Sequence, residues 1–572
     1  MRGNIKFQYI AIVLISLISV GLYLNALDNA FFFDDHPNIL DNPYIRNLKD
    51  LSLFLKGARS YTGIPRALTT LSFAINYHFH RFNVFGYHVV NLILHILSGI
   101  LVYLIARVLF LLEWDSMGGP LNRETHSKEI KINLLSLFTA FMFISHPIQV
   151  NTVTYIVQRT EGLASFLYLL SLYLFALGSF KDGWRKLPFF LGTGFSFLCS
   201  IFSKETGFTL PIILILFDFI FICKTREDKL KRVKIYLPLL LILIIYMLFF
   251  LRGGIFHLLL QRTRGGNIAP WHYLLTQANV IIQYFKLILL PLPSWLNIDH
   301  DYPLRQSFFE YPTFLSFAVL VLFLLAAAWL INKKRLISFS IFFFFVVLAP
   351  SSSILPLWDV MVEYRLYLPL FSFGLIVMLA IHGLYHFLAR HDFQKIGLGV
   401  VSAISILLIS FYSVITIERN NTFQDPLTLW SDAAKKSPNK MRVHHNLGKA
   451  YFERGRIDKA IQEGEIALKL SSNLDRKENV KFVLNLLGGA YFVKGETDAA
   501  LRMFQRAVEV DPNFATSYYN VSCVYATKKE RDKALEYLKK AISLDPKYKE
   551  KAGTDKDFNN LRGEKEFEEM LK

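Results

Sequence analysis

Residues 396–455 read IGLGVVSAISILLISFYSVITIERNNTFQDPLTLWSDAAKKSPNKMRVHHNLGKAYFERG, and two architectures meet inside them. From Ile396 to Thr416 almost every residue is apolar or small. A helix of about 20 such residues crosses about 30 Å of hydrocarbon. After Glu418 the apolar run stops and charged, helix-forming residues take over. The chain is therefore read as a membrane domain, 1–418, followed by a water-exposed helical domain, 419–572.

Upstream of this junction the apolar blocks recur. They predict eleven spans, at 7–27, 87–112, 132–148, 163–180, 187–203, 207–223, 235–251, 313–331, 336–350, 366–388 and 396–416. The opening MRGNIKFQYIAIVLISLISVGLYLNAL has Arg2 and Lys6 ahead of its apolar run and no A-x-A cleavage site, so it reads as an uncleaved signal-anchor. Short loops such as KDGWRK (181–186), KTREDKLKRVK (224–234) and NKKR (332–335) are basic and are assigned to the cytoplasm. The block YLLTQANVIIQYFKLILLPLP (273–293) would invert that pattern if it spanned. It is read as re-entrant or interfacial, ended by Pro291 and Pro293. An odd number of spans then carries the C-terminal domain to the outer side.

Composition agrees: the 572 residues are 53% hydrophobic, with a mean hydropathy of +0.35. The net charge of +18 does not call for nucleic acid, because Lys and Arg gather in short loops where they set topology. Cys199, Cys223 and Cys523 supply no disulfide framework.

Downstream of the junction the chain repeats itself. Gly448, Tyr451, Gly455, Ala460 and Ala467 recur as Gly488, Tyr491, Gly495, Ala500 and Ala507, with Phe504 and Pro512 added. A third copy has Ser522, Tyr525, Ala534, Leu538, Ala541 and Pro546. Small residues there let paired antiparallel helices pack closely, and a fixed period of this kind marks a tetratricopeptide-repeat (TPR) solenoid. Such a solenoid usually offers a concave face to a protein segment. Asn420-Asn421-Thr422 and Asn520-Val521-Ser522 match glycosylation sequons by pattern.

Ionisable residues at membrane depth are costly and need a reason. In this topology many fall at the outer face: Asp34 and Asp35, Arg66, His146, Arg159 and Glu161, Lys204 and Glu205, Glu363 and Arg365. His88, Asn91 and His95 share one face of the second span. Each has a plain alternative: a solvated loop start, interhelical hydrogen bonds, or loop ion pairs worth little. Together they describe a polar cleft holding acids and bases. Glycosyl transfer from a polyprenyl-phosphate sugar needs a carboxylate to take a proton from the acceptor hydroxyl and cations to hold the leaving phosphate. Asp34 or Asp35 supplies the first; Arg66, Arg159, Lys204, Arg365 or the group Arg252, Arg262 and Arg264 supplies the second.

At this point the chain resembles the transmembrane and TPR-repeat-containing protein O-mannosyltransferases and their microbial relatives, of the GT-C class. The segments that carry the likeness are FFFDDHPNILDNPYI (31–45), GYHVVNLILHILSGIL (86–101), SHPIQVNTVTYIVQRTEGLAS (145–165), SKETGFTLP (203–211) and VEYRLYLPL (362–370), followed by TPRs. The resemblance implies an all-α, polytopic transferase of about eleven spans with a TPR solenoid on its outer side. It implies catalysis by an acidic pair in the first outer loop, matching Asp34 and Asp35, and substrate-binding roles for Arg66, His88, Arg159, Glu161, Lys204, Glu205, Glu363 and Arg365. A divalent metal between acidic pair and phosphate is left open, and no other cofactor is expected. The partners are a lipid-linked sugar donor, membrane lipids and an acceptor protein held by the TPR face. The membrane is the plasma membrane in a prokaryote and the endoplasmic reticulum in a eukaryote. Departures are visible: Pro65-Arg66 inverts the family's Arg-Pro, and Arg159-Thr160-Glu161 replaces its Arg-Ala-Asp. Two rival readings are a lipid-linked oligosaccharide ligase or polymerase and a non-enzymatic membrane-anchored TPR scaffold.

Overall fold

The structure is a computed structural model that describes every residue except 1–4, 51, 53, 55–65, 117–124, 224, 253–267, 391–393 and 472–476. Among the described residues there is no β-strand; the chain is helices joined by short turns. It divides into two compact units, 1–298 with 302–425, and 299–301 with 426–572. The division falls after Asp425, because the helix Gln394–Thr422 runs unbroken through the sequence boundary at 418.

The first unit holds the apolar helices. Among the described residues seven are long and apolar enough to cross a membrane, Ile5–Ala26, Val84–Trp114, Ile156–Gly178, Glu205–Ile222, Thr313–Leu330, Leu370–Leu388 and Gly397–Thr422, and the predicted span 235–251 lies largely outside the residues whose side chains are described. An eighth arises if Lys128–Ser145 and Pro147–Val153, bent by 47° at Pro147, form one broken span. The sequence count of eleven is higher because hydropathy does not measure helix length. The blocks at 187–203 and 336–350 become helices of only 15 and 14 residues, Leu187–Ile201 and Arg335–Leu348. The helix Pro270–Leu289 is not among the seven. Gln277 and Asn279 are buried inside the unit, beside Tyr273 and Tyr284.

Helices in this unit approach closely and are joined by polar links. A Cβ on Gly99 would lie 2.6 Å from the Ile144 side chain, so only glycine permits that approach. Arg107 Nε donates to Asn133 Oδ1 at 2.9 Å, joining Val84–Ser116 to Thr125–Ser145. The sequon residue Asn420 is fully buried: its amide donates to Leu22 O at 2.9 Å and accepts from Thr154 Oγ1 at 2.8 Å.

The second unit is a run of helical hairpins. Met441–Glu453 pairs with Ile457–Leu470, Lys477–Lys494 with Thr497–Val510, and Ala515–Thr527 with Arg531–Leu544. The first two turns use left-handed glycines, Gly455 (φ +69°) and Gly495 (φ +88°). The third places Lys529 there at φ +62°. Ala460, Ala500 and Ala534 are each fully buried where paired helices touch, as the repeat pattern requires.

Candidate active site

The loop after the first apolar helix is folded around its second aspartate. Asp35 is fully buried, and its two carboxylate oxygens accept the backbone N–H groups of Val157 (2.8 Å) and Phe32 (3.1 Å). The ring of Phe32 stacks on Tyr155 at 4.6 Å. Asp35 thus pins the loop to the segment before the helix Arg159–Gly178. Burial pushes its carboxyl up to about 8, against the pull of those two N–H groups.

Asp34 is placed differently, at a cavity wall. Phe33, ahead of it, sits at φ +49°, a region costly for a residue with a bulky side chain. The Asp34 N–H donates to Tyr155 Oη at 3.0 Å, and its carbonyl accepts from Asn38 Nδ2 at 2.7 Å. These main-chain contacts, together with a side-chain bond to the Tyr155 hydroxyl, hold Asp34 where it lines this cavity of about 340 Å³.

Five other residues singled out from the sequence line the same cavity: Arg66, Glu161, Lys204, Glu205 and Arg365. Arg66, just ahead of the helix Ala67–His80, donates to both Glu205 oxygens, at 3.2 and 3.3 Å. Lys204 Nζ lies 2.5 Å from Glu161 Oε2 and 4.6 Å from the centre of the Tyr364 ring. Burial pulls the Lys204 ammonium below its ordinary value, and the Glu161 carboxylate opposes that pull. Arg365 differs from both. Its guanidinium donates to two backbone carbonyls, Asp359 O at 2.6 Å and Val360 O at 3.2 Å, and forms no ion pair among the described residues. It is a buried cation without a direct ion pair among the described residues, with the Asp359 carboxylate near enough to favour its charge.

Four predicted residues lie elsewhere. Asp35 is one. Arg159 is fully buried and donates to four neutral oxygens: Asn91 Oδ1 (2.7 Å), Asn76 Oδ1 (2.5 Å), Tyr87 O (2.9 Å) and Ser72 O (3.3 Å). It also lies over the Phe73 ring, 4.5 Å from its centre. His88 Nε2 is 2.9 Å from Asn29 O inside the unit. Glu363 is buried, pairs with Arg419 and accepts the Asn297 N–H at 2.6 Å. None of the four lines the cavity. Of the basic group near 260, Arg262 and Arg264 lie outside the described residues, and only the backbone of Arg252 is described.

Sequence reasoning missed Trp358 and Asp359, which also line the cavity. Their signal was their place a few residues ahead of Glu363 and Arg365 in an otherwise apolar region.

Two of the four carboxylates that line the cavity are tied up in ion pairs. Glu161 and Glu205 are engaged by Lys204 and Arg66. Among the described residues the one group of three side chains near enough to share an ion is Cys523, Asp555 and Asp557, in the second unit.

Two tetratricopeptide-repeat models match residues 439–513 and 515–548. A Caenorhabditis elegans protein named "Protein O-mannosyl-transferase F38B6.6" is 24% identical over 485 residues, 81% of this chain and 63% of that protein. The human "Protein O-mannosyl-transferase TMTC4" is 25% identical over 509 residues, 79% of this chain and 65% of that protein. The Drosophila melanogaster "Protein O-mannosyl-transferase Tmtc3" is 27% identical over 227 residues, 37% and 24% of the two chains. The chain thus spans less than two thirds of the length of these curated relatives. The crystal structure of MamA aligns at 25% identity over 25% of this chain and 80% of that one, but its TM-score of 0.22 is too low to carry an argument. Over about four fifths of its length, this chain is similar to proteins named as TMTC O-mannosyl-transferases, and tetratricopeptide repeats follow its apolar helices.

Proposed function

We propose that this chain is a membrane glycosyltransferase that moves a sugar from a polyprenyl-phosphate donor to a Ser or Thr hydroxyl of a protein. One observation carries the reading: a single cavity holds the carboxylate Asp34 and the cation Arg365, with two ion pairs, Arg66–Glu205 and Lys204–Glu161, in its wall. In that arrangement Asp34 takes the proton of the acceptor hydroxyl as its oxygen bonds to the sugar's anomeric carbon. The bond from that carbon to the phosphate oxygen breaks, and its electron pair leaves on the phosphate. Arg365 meets the phosphate first, because among the described residues it has no direct ion pair to break. Arg66 and Lys204 add positive charge at the cost of loosening their own pairs. One base suffices for a single displacement with inversion.

The donor's lipid tail accounts for a site built among apolar helices. Similarity to proteins named O-mannosyl-transferases favours mannose as the sugar and protein as the acceptor. The reaction is assigned to the extracytoplasmic side, with the TPR unit there to recruit acceptor. The host membrane is the plasma membrane or the endoplasmic reticulum, according to the cell.

The test is transfer by the full chain in nanodiscs, from labelled polyprenyl-phosphate mannose to a Ser/Thr-rich protein. Asp34→Asn and Arg365→Met are each expected to cut transfer by about 100-fold or more while the protein stays folded. Undiminished transfer by both variants would sink the assignment.

A further inference from the structure

The loop Ser351–Val362 contributes to one wall of the cavity without regular secondary structure, yet its backbone is tied down at its start and over its last four residues. Tyr273 Oη donates to Ser351 O at 2.7 Å, and Gln277 Nε2 to Val360 O at 2.8 Å. Tyr284 Oη donates to Val362 O at 2.9 Å and accepts from Val362 N at 3.1 Å. Arg365 holds Asp359 O and Val360 O. The three anchors from Pro270–Leu289 give that buried, polar-faced helix its purpose. Each of these bonds engages main chain. What the loop contributes to the cavity is side chains on a fixed backbone, chief among them Trp358 and Asp359.

We propose that Trp358 and Asp359 read the sugar of the donor, Trp358 by stacking and Asp359 by accepting hydrogen bonds from two neighbouring hydroxyls. The inference rests on the glycosyltransferase reading above. In a sugar phosphate the ring is joined to phosphorus through one oxygen, so whatever reads the ring must stand beside whatever holds the phosphate. Residue 359 does: its carbonyl is 2.6 Å from the Arg365 guanidinium. A pyranose has an apolar face of C–H groups that suits an indole surface, and an edge of O–H donors that suits a carboxylate's two oxygens. Adjacent residues bearing these two groups meet both needs. The same contact makes the Arg365 guanidinium a brace for the reading loop, so phosphate and sugar are recognised by one rigid element. A site that hydrogen-bonds a substrate hydroxyl discriminates strongly against analogues that misplace it.

The experiment compares transfer by the full chain in nanodiscs from polyprenyl-phosphate mannose and polyprenyl-phosphate glucose, which differ at one hydroxyl. Wild type, Asp359→Asn, Trp358→Ala and Trp358→Phe are measured, with thermal unfolding of each. Affinity for sugar-free polyprenyl phosphate is measured in parallel. Asp359→Asn is expected to narrow the preference between the two donors at least tenfold. Trp358→Ala is expected to raise KM for both donors at least tenfold, with partial recovery in Trp358→Phe. Affinity for the sugar-free lipid should stay within twofold in every variant. Wild-type preference and KM in all three variants would overturn the inference while leaving the transferase reading intact. So would an equal loss of affinity for the sugar-free lipid, which marks the loop as structural only. Wild type that transfers from neither donor removes the transferase reading itself, and this inference with it.

Discussion

Adjacent aspartates that a sequence cannot tell apart are given opposite tasks by the fold, and that difference is measurable. Asp35→Ala strips the acceptors from two buried amides, those of Val157 and Phe32. An unsatisfied buried donor costs about 1–3 kcal/mol, so the pair costs about 2–6 kcal/mol. Asp35→Asn keeps one acceptor oxygen but turns an amide N–H toward the other donor, and costs about 1–3 kcal/mol. Against a typical stability of about 5–15 kcal/mol, either change is visible as a lowered unfolding temperature. Asp34→Asn keeps both main-chain anchors, the N–H to Tyr155 and the carbonyl from Asn38, and replaces the carboxylate that faces the Tyr155 hydroxyl by an amide whose oxygen can still accept. It should unfold like wild type yet transfer sugar about 10²–10⁴-fold more slowly. The assay pairs thermal unfolding of purified protein with initial transfer rates in the same nanodiscs. If Asp35→Asn is as stable as wild type but inactive, while Asp34→Asn is active, the two roles are reversed and the reasoning from burial fails.

Further expectations follow from the same geometry. With its carboxyl pushed up to about 8 by burial, Asp35 keeps a proton in the folded chain that an ordinary carboxyl, near about 4, has released on unfolding. Unfolding temperature should therefore fall as pH rises between those values, and Asp35→Asn should flatten the slope in a pH 5–8 series. Arg159→Met leaves neutral amide and carbonyl oxygens without their donor and should destabilise by about 1–3 kcal/mol for each that stays buried. A raised donor KM at unchanged stability would instead make Arg159 a substrate residue. Glu363→Gln removes the partner of Arg419, whose Nε and Nη1 are already buried without partners, and should cost about 3–5 kcal/mol. Adding Arg419→Met should recover part of that loss in thermal unfolding. In the second unit, Gly488→Ala would put a Cβ 2.5 Å from the Phe504 ring. An overpacking cost of about 1–3 kcal/mol should speed amide exchange across Lys477–Lys494 and Thr497–Val510.

What the sequence disclosed and what it withheld follow from the range of the forces involved. Periodic burial is written locally. Ala460, Ala500 and Ala534 recur because each hairpin repeats the same close approach, so the solenoid can be read without coordinates. The apolar runs are equally local, but their number as spans depends on how much of each run becomes one straight helix. Pro147 bends one, and buried amides such as Gln277 keep another inside the protein. Charge at the membrane face identified a polar site and six of its lining residues. It could not sort them, because a charged residue that lines a cavity and one that braces it look alike in a string of letters. Arg159 and Arg365 show why. Both are buried arginines bound to neutral oxygens, and both sit beside an acidic residue in sequence. Arg159 finds its four acceptors between residues 72 and 91, on segments that the chain brings back from far upstream. Arg365 finds its two acceptors five and six residues away, in the loop that it helps to shape, and it lines the cavity. Sidedness at Asp34 and Asp35 has the same origin. Tyr155 and Val157 come from a segment more than 100 residues downstream, and the left-handed turn at Phe33 leads into two consecutive aspartates of which only Asp34 lines the cavity. Roles set by such distant partners can be separated only by substitutions that break one partner at a time, with stability read beside rate.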